Sequence, residues 1–208
     1  MLASNAVQPK RVRRTPENAR AEILAAAESA LRDTDFHSLT VEFLMERTGM
    51  TRSLFYHYFG SLEEIVMALF ERVAAEVSGA VDAWLEGEDA TDYRANTVDH
   101  LTRMYEVWRE HANLMRALEQ AADRNKEAYA RWQQQVVESY IDKTETFIRR
   151  QIALGRSRVE DPRGVAHVLI VTNLAVATDQ LRRPEPESPA RLGKTVGHVW
   201  NASIYGAN

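Results

Sequence analysis

The chain has 208 residues, 45% of them hydrophobic, enough for a substantial core in one compact unit or in a small and a larger domain. It holds no cysteine, which excludes disulfides and thiolate metal sites and suits a cytoplasmic location. The net charge is −4, unevenly spread: residues 1–60 hold 8 Lys/Arg against 7 Asp/Glu, and residues 61–208 hold 18 against 23.

No uninterrupted apolar run approaches the roughly 20 residues of a membrane span, so no membrane partner is expected. The first 22 residues are polar and basic, unlike a signal peptide. Lys10, Arg11, Arg13 and Arg14 lie in a stretch, residues 1–14, without periodicity. Such a cluster fits a solvated tail and, equally, an arm reaching the backbone or minor groove of DNA. Thr15-Pro16-Glu17 then starts a helix: a capping residue, proline in the first turn, and an acid at the positive end of the dipole. Ile23, Leu24, Ala27 and Leu31 form its apolar stripe, which ends near Asp33-Thr34-Asp35.

Thr40 caps a second helix, with Val41, Leu44 and Met45 on one face. Gly49 stops it, because glycine enters the left-handed region at no steric cost. Thr51 starts a third helix, with Phe55 and Phe59 facing inward and Arg52, Ser53, Tyr56 and His57 left outside. A stop-glycine-restart of this length is a helix-turn-helix, whose second helix lies in the DNA major groove. Arginine there can pair with a guanine edge, and hydroxyls can reach phosphates.

The run Thr40-x-x-x-Leu44-(x)4-Gly49-Met50-Thr51-Arg52-x-x-Phe55-Tyr56-His57-Tyr58-Phe59-x-Ser61 resembles the DNA-binding domain of the TetR family of bacterial transcriptional repressors, densely over about Ile23 to Val66. The resemblance implies an all-α dimer. Its N-terminal three-helix domain (15–60) would bind a double-stranded DNA operator, and its helical C-terminal part (61–208) would take a small molecule, with no cofactor. It also implies DNA contacts from Thr40, Thr51, Arg52, Ser53, Tyr56, His57 and Tyr58. One departure stands out: the family usually has a phosphate-contacting lysine where this chain has Leu62.

Beyond the motif, Ser61 and Glu64 form a capping box for a helix running to about Leu85, with Ile65, Leu69, Val73 and Val77 at four-residue spacing. A loop over 86–90 follows. Val98, Leu101, Tyr105 and Trp108 mark a helix over about 91–110, and Leu114, Met115 and Leu118 a shorter one. Tyr129, Trp132, Val136, Tyr140 and Phe147 mark a long helix stopped by Gly155. Asp161-Pro162 opens the next, the Pro-rich stretch 182–189 is a loop, and Ser188-Pro189 caps the last. Nine helices are expected, with no alternating strand and no internal repeat.

Aromatics at helical spacing are core residues first. The alternative is an apolar cavity between helices, with Val98, Tyr105, Trp108, Met115, Trp132, Val136, Asn173 and Trp200 as its candidate lining. Asn173 supports it, since a buried amide needs a partner, supplied by a ligand or by a neighbouring protein group. The tail His198–Gly206 is similar to that of the EthR branch of the same family, which implies that Trp132, Asn173 and Trp200 line a long apolar channel. The last two helices carry apolar faces: Val165, Val168 and Leu169 on one, Leu192, Val196 and Val199 on the other. These either form a homodimer interface, as the resemblance implies, or close the monomer's own core.

The six histidines show no His-x-x-x-His or His-Glu-x-x-His spacing, so no metal site is expected. No nucleophile elbow or phosphate loop occurs, so catalysis has no visible residue set. The leading expectation is a repressor released from DNA by a hydrophobic small molecule. The rivals are a helical ligand-binding scaffold with an inert head and, more remotely, an all-helical enzyme.

Overall fold

The computed structural model describes residues 15–86 and 92–206. The basic residues Lys10, Arg11, Arg13 and Arg14 lie outside the described residues, as do loop positions 87–90 and the side chain of Val77. Among the described residues there are nine α-helices and one 3-10 turn. They are α1 (Pro16–Asp33), the turn Phe36–Ser38, α2 (Val41–Thr48), α3 (Arg52–Tyr58), α4 (Leu62–Glu86), α5 (Tyr93–Glu110), α6 (Ala112–Arg124), α7 (Lys126–Ala153), α8 (Pro162–Arg182) and α9 (Pro189–Tyr205). The chain is all-α.

The helix starts are written in capping chemistry. The hydroxyls of Thr15, Thr40, Thr51 and Ser188 accept from the backbone N–H three residues on, and the carboxylates of Asp92 and Asp161 do the same. At α4, Ser61 Oγ accepts from Glu64 N–H at 3.3 Å, and the Glu64 carboxylate accepts from Gly60 N–H at 2.7 Å. Gly49 ends α2 at φ 64°, where a side chain would be strained. The turn at Phe36–Ser38, unmarked by any periodicity, buries Phe36 completely.

Two apolar clusters divide the core. One joins α1, α2 and α3 to the start of α4, with Ile23, Leu44, Phe55 and Ile65 fully buried, and takes in Leu114, Ala117, Leu118 and Ala121 of α6. The second lies among α5, α7, α8 and α9, around Leu101, Ile141, Ile148 and Trp200. Within it α5 and α9 cross closely because glycines face the contact. A Cβ on Gly193 would stand 2.8 Å from the Thr102 Cα, and one on Gly197 3.2 Å from the Val98 Cα.

Among the described residues, α8 alone would qualify as a membrane span by length and mean hydropathy (1.3). A search for uninterrupted apolar runs passes over it, because Thr172 and Asn173 break the run. The helix packs against α7 and α9 and buries Ala166, Leu169, Asn173 and Ala177, with Asn173 turned to Tyr105 of α5.

Candidate functional site

The helix-turn-helix places its residues as the spacing predicts. Phe55 and Phe59 are buried in the three-helix core, which leaves Arg52, Ser53, Tyr56 and His57 exposed along α3. Tyr58 is half-buried against that core, its ring edge-on to His57 at 4.9 Å. Thr40 and Thr51 spend their oxygen lone pairs as caps, accepting from Phe43 N–H at 3.1 Å and Leu54 N–H at 3.3 Å. Each hydroxyl hydrogen stays free to donate to a phosphate. Leu62 packs half-buried on the head core and supplies no cation.

Arg52 is already engaged within the protein. Its guanidinium forms an ion pair with Glu42 of α2, donates to the Tyr56 hydroxyl at 3.2 Å, and lies 5.5 Å over the Tyr56 ring. Glu42 therefore shares the exposed surface that α3 presents. Glu42 carries no signal in the sequence, because only the folded head brings it beside Arg52, ten residues on.

The second site is an apolar cavity among α4, α5, α6, α7, α8 and α9, with about 840 Å³ of empty space when its open mouth is counted. Of the expected lining, Trp108, Met115, Val136, Asn173 and Trp200 border it. Phe70, Val73 and Ala74 of α4 border it too, as do Met104 of α5 and Ile170 and Leu174 of α8. Trp84 and His100 complete one wall. The Trp84 indole stacks on the His100 imidazole at 4.5 Å and on the Phe147 ring at 3.9 Å, with Trp200 edge-on at 6.2 Å.

Three expected lining residues lie elsewhere. Val98 is taken up by the α5–α9 crossing, against Gly197. Trp132 leans on Phe70 at 4.9 Å and Tyr129 at 5.7 Å, in the joint between the head and the body. Tyr105 borders a neighbouring crevice and reaches the cavity only through Asn173, donating its O–H to Asn173 Oδ1 at 2.6 Å. So the buried amide finds its partner in a side chain of the same molecule, and its Nδ2 sits 3.1 Å from the Met104 Sδ. Burial pushes the Tyr105 hydroxyl above its usual range, which keeps it a donor. His100 moves the other way: burial first, then the nearby Arg103 charge, lowers it to about 4, so the imidazole is neutral near pH 7.

A helix-turn-helix head on a body with an apolar inter-helical cavity narrows the identity, and comparison with known proteins settles it. Residues 97–206 match the family model for the C-terminal domain of the transcriptional regulator EthR, and residues 23–69 match that of the bacterial regulatory proteins of the tetR family. The chain belongs to the TetR family, in its EthR branch. As a TetR-family member it is a DNA-binding transcriptional regulator. It is 27% identical to EthR of Mycobacterium tuberculosis over 192 residues, which cover 89% of this chain and 87% of that protein. SmeT, the repressor of the Stenotrophomonas maltophilia efflux pump SmeDEF, superposes with a TM-score of 0.69 at 25% identity, over 88% of this chain and 89% of its own. SmeT is also known in complex with triclosan. A TetR-family regulator from Pectobacterium atrosepticum shares the fold, with a TM-score of 0.75 at 16% identity over 95% of this chain and 99% of that one.

On this TetR-family body, the two faces expected at a dimer interface split in two. Leu169 and Val196 turn into the monomer's own core, at 2% and 7% exposure, and Val165 and Leu192 pack half-buried against it. Val168 and Val199 stand exposed at 61% and 46%, joined by Val171 at 44%. Val168 and Leu169, about 100° apart on the helix, are divided between these two surfaces.

Proposed function

We propose that the chain is a transcriptional repressor that binds a palindromic DNA operator as a homodimer and releases it when a hydrophobic small molecule fills the C-terminal cavity. The observation that carries the reading is the sharing of two helices between the sites. On α4, Ile65, Val66 and Leu69 pack in the head core while Phe70, Val73 and Ala74 border the cavity. On α6, Leu114, Ala117, Leu118 and Ala121 pack on the head while Met115 borders the cavity. Polar ties fix α6 to the head: Gln120 Oε1 accepts from Phe36 N–H at 3.1 Å, and Asn113 Nδ2 donates to the Arg32 carbonyl at 3.1 Å. A ligand that displaces α4 or α6 moves the head, and a ligand shifts the equilibrium only by its differential affinity for the two states, typically about 1–3 kcal/mol.

In this reading residues 15–60 are the DNA-binding head and 61–208 the effector and dimerisation body, acting in the cytoplasm. Arg52, Tyr56 and His57 read bases, and Thr40, Thr51, Ser53 and Tyr58 hold phosphates or neighbouring bases. Lys10, Arg11, Arg13 and Arg14 form an arm that adds phosphate contacts where Leu62 withholds one. The exposed valines of α8 and α9 meet their copies in a four-helix bundle, which sets the two recognition helices roughly 34–36 Å apart. Burying that face also accounts for the apolar character of α8 without a membrane. A scaffold with an inert head is the weaker reading, because the exposed face of α3 keeps its base-reading side chains.

The test is a fluorescence-anisotropy titration against DNA from upstream of the protein's own gene, at several salt concentrations, beside a scrambled duplex and Arg52→Ala. If Arg52 reads a base, the variant loses roughly 1–3 kcal/mol on the operator alone and relaxes specificity at one position. A uniform loss on both duplexes would make Arg52 a phosphate contact. Equal, weak binding of the unaltered protein to operator fragments selected from a whole genome and to random DNA would reject the repressor reading.

A further inference from the structure

The cavity wall is apolar with few polar interruptions, and most of those are already satisfied. The Asn173 carbonyl oxygen takes the Tyr105 hydroxyl, and the Tyr140 hydroxyl donates to the Ala74 carbonyl at 3.3 Å. His100 is the exception. It is 5% exposed, borders the cavity, and its Nδ1 has no hydrogen-bond partner among the described residues. An unpaired polar atom at such depth is costly, and each case in a folded protein calls for a reason. The ring is not loose packing. It is clamped face to face on Trp84, which is itself backed by Phe147, so its edge is held in one orientation. A fixed imidazole edge set in an apolar wall is a ready-made anchor for one polar group of a bound molecule.

We propose that His100 is the specificity-determining residue of the effector cavity, selecting uncharged ligands that join an apolar body to a single hydrogen-bonding group, a hydroxyl or an amide. The proposal rests on the reading of this cavity as the effector site. Burial and the nearby Arg103 both disfavour the imidazolium, so the ring that borders the cavity is neutral and offers a hydrogen bond and not a counter-charge. A carboxylate would have to be desolvated in a described lining that holds no Lys or Arg, and enters less readily than an alcohol. An alcohol serves either ring tautomer, since its oxygen both donates and accepts.

The experiment titrates the full chain with octan-1-ol, nonane and octanoate near pH 7, following the fluorescence of the cavity tryptophans, in the unaltered protein, His100→Phe and His100→Gln. Phenylalanine keeps the ring stack and removes the hydrogen bond, while glutamine keeps a donor and an acceptor. Octan-1-ol is expected to bind about tenfold more weakly to His100→Phe and to recover in His100→Gln, while nonane binds both variants at least as well as the unaltered chain. Octanoate is expected to trail octan-1-ol by tenfold or more in the unaltered protein, a comparison that holds even if the phenylalanine variant does not fold. Octan-1-ol affinity indifferent to His100→Phe, or octanoate as tight as octan-1-ol, would overturn the role of His100 while nonane binding left the cavity reading standing. If neither octan-1-ol nor nonane binds the unaltered chain, the effector-site reading falls as well.

Discussion

At the scale of single residues, the two functional regions are tuned by partners that are distant in sequence. His100 has an ordinary value of 6.5 when unfolded and about 4 in the fold, because burial penalises its charged form. As pH falls below about 6.5 the unfolded chain takes up a proton that the folded chain refuses. Stability therefore drops from about pH 6.5 to about pH 4, and this group contributes no slope above or below that window. The lost stability is on the order of 3 kcal/mol, and His100→Phe is expected to flatten this part of the profile in urea melts run between about pH 7 and pH 4.5. On the head, Glu42 holds Arg52 in an ion pair exposed on both sides, and on the proposed reading it sets a negative charge where DNA phosphates would approach. Glu42→Gln is expected to tighten DNA binding at low salt by no more than about fivefold, the size of an exposed pair, with the gain fading as salt screens it. Weaker operator binding by Glu42→Gln would show that Glu42 itself accepts from a base.

At the scale of elements, the helix starts were legible because capping is local: a side chain and a backbone N–H three residues away decide it. The starts at Pro16, Val41, Arg52, Pro162 and Pro189 all sit on such signals. The α5–α9 crossing was not legible, because Gly193 and Gly197 read as weak points of a helix until Thr102 and Val98 are brought against them. Close backbone approach makes both positions intolerant of volume. Gly193→Ala places its Cβ 2.8 Å from the Thr102 backbone, which no rotamer change relieves. It is expected to destabilise the protein by about 1–3 kcal/mol in denaturant melts, although alanine is the better helix former. A variant as stable as the parent would show that α5 and α9 separate easily. The same crossing explains Val98: helical spacing put it on the face of Tyr105 and Trp108, but α9 reaches that end of α5 before the cavity begins.

At the scale of the whole molecule, α4 feeds both apolar clusters and α6 packs on the head while its Met115 borders the cavity, so the cavity and the head are parts of one packing arrangement. The dimer reading is tested on the surface that the monomer leaves open. Val168 is 61% exposed and makes no essential contribution to the monomer core, so Val168→Asp is expected to leave the melting transition of the monomer intact. Two like charges buried near the two-fold axis are costly, and the variant is expected to sediment near the 23.7 kDa of a single chain. Operator affinity should fall with it, since one head alone spans one half-site. A Val168→Asp protein that remains dimeric would place the interface elsewhere.

The chain by itself determined the all-α class, the nine helices and the exposed face of the recognition helix. Each follows from periodicity and capping within some twenty residues, and the motif in residues 40–61 is dense enough to carry its family. Which faces meet, and which polar groups are left without partners, was decided only by tertiary packing. Leu169 and Val196 belong to the monomer and Val168 and Val199 to the surface because α8 and α9 are rotated by their contacts with α7 and α5. Asn173 is satisfied by Tyr105, 68 residues away in the chain, while His100 ends in the cavity wall with its Nδ1 unpartnered among the described residues. Hydrophobic spacing says that a helix has an inside, but only the neighbouring helices say what that inside faces.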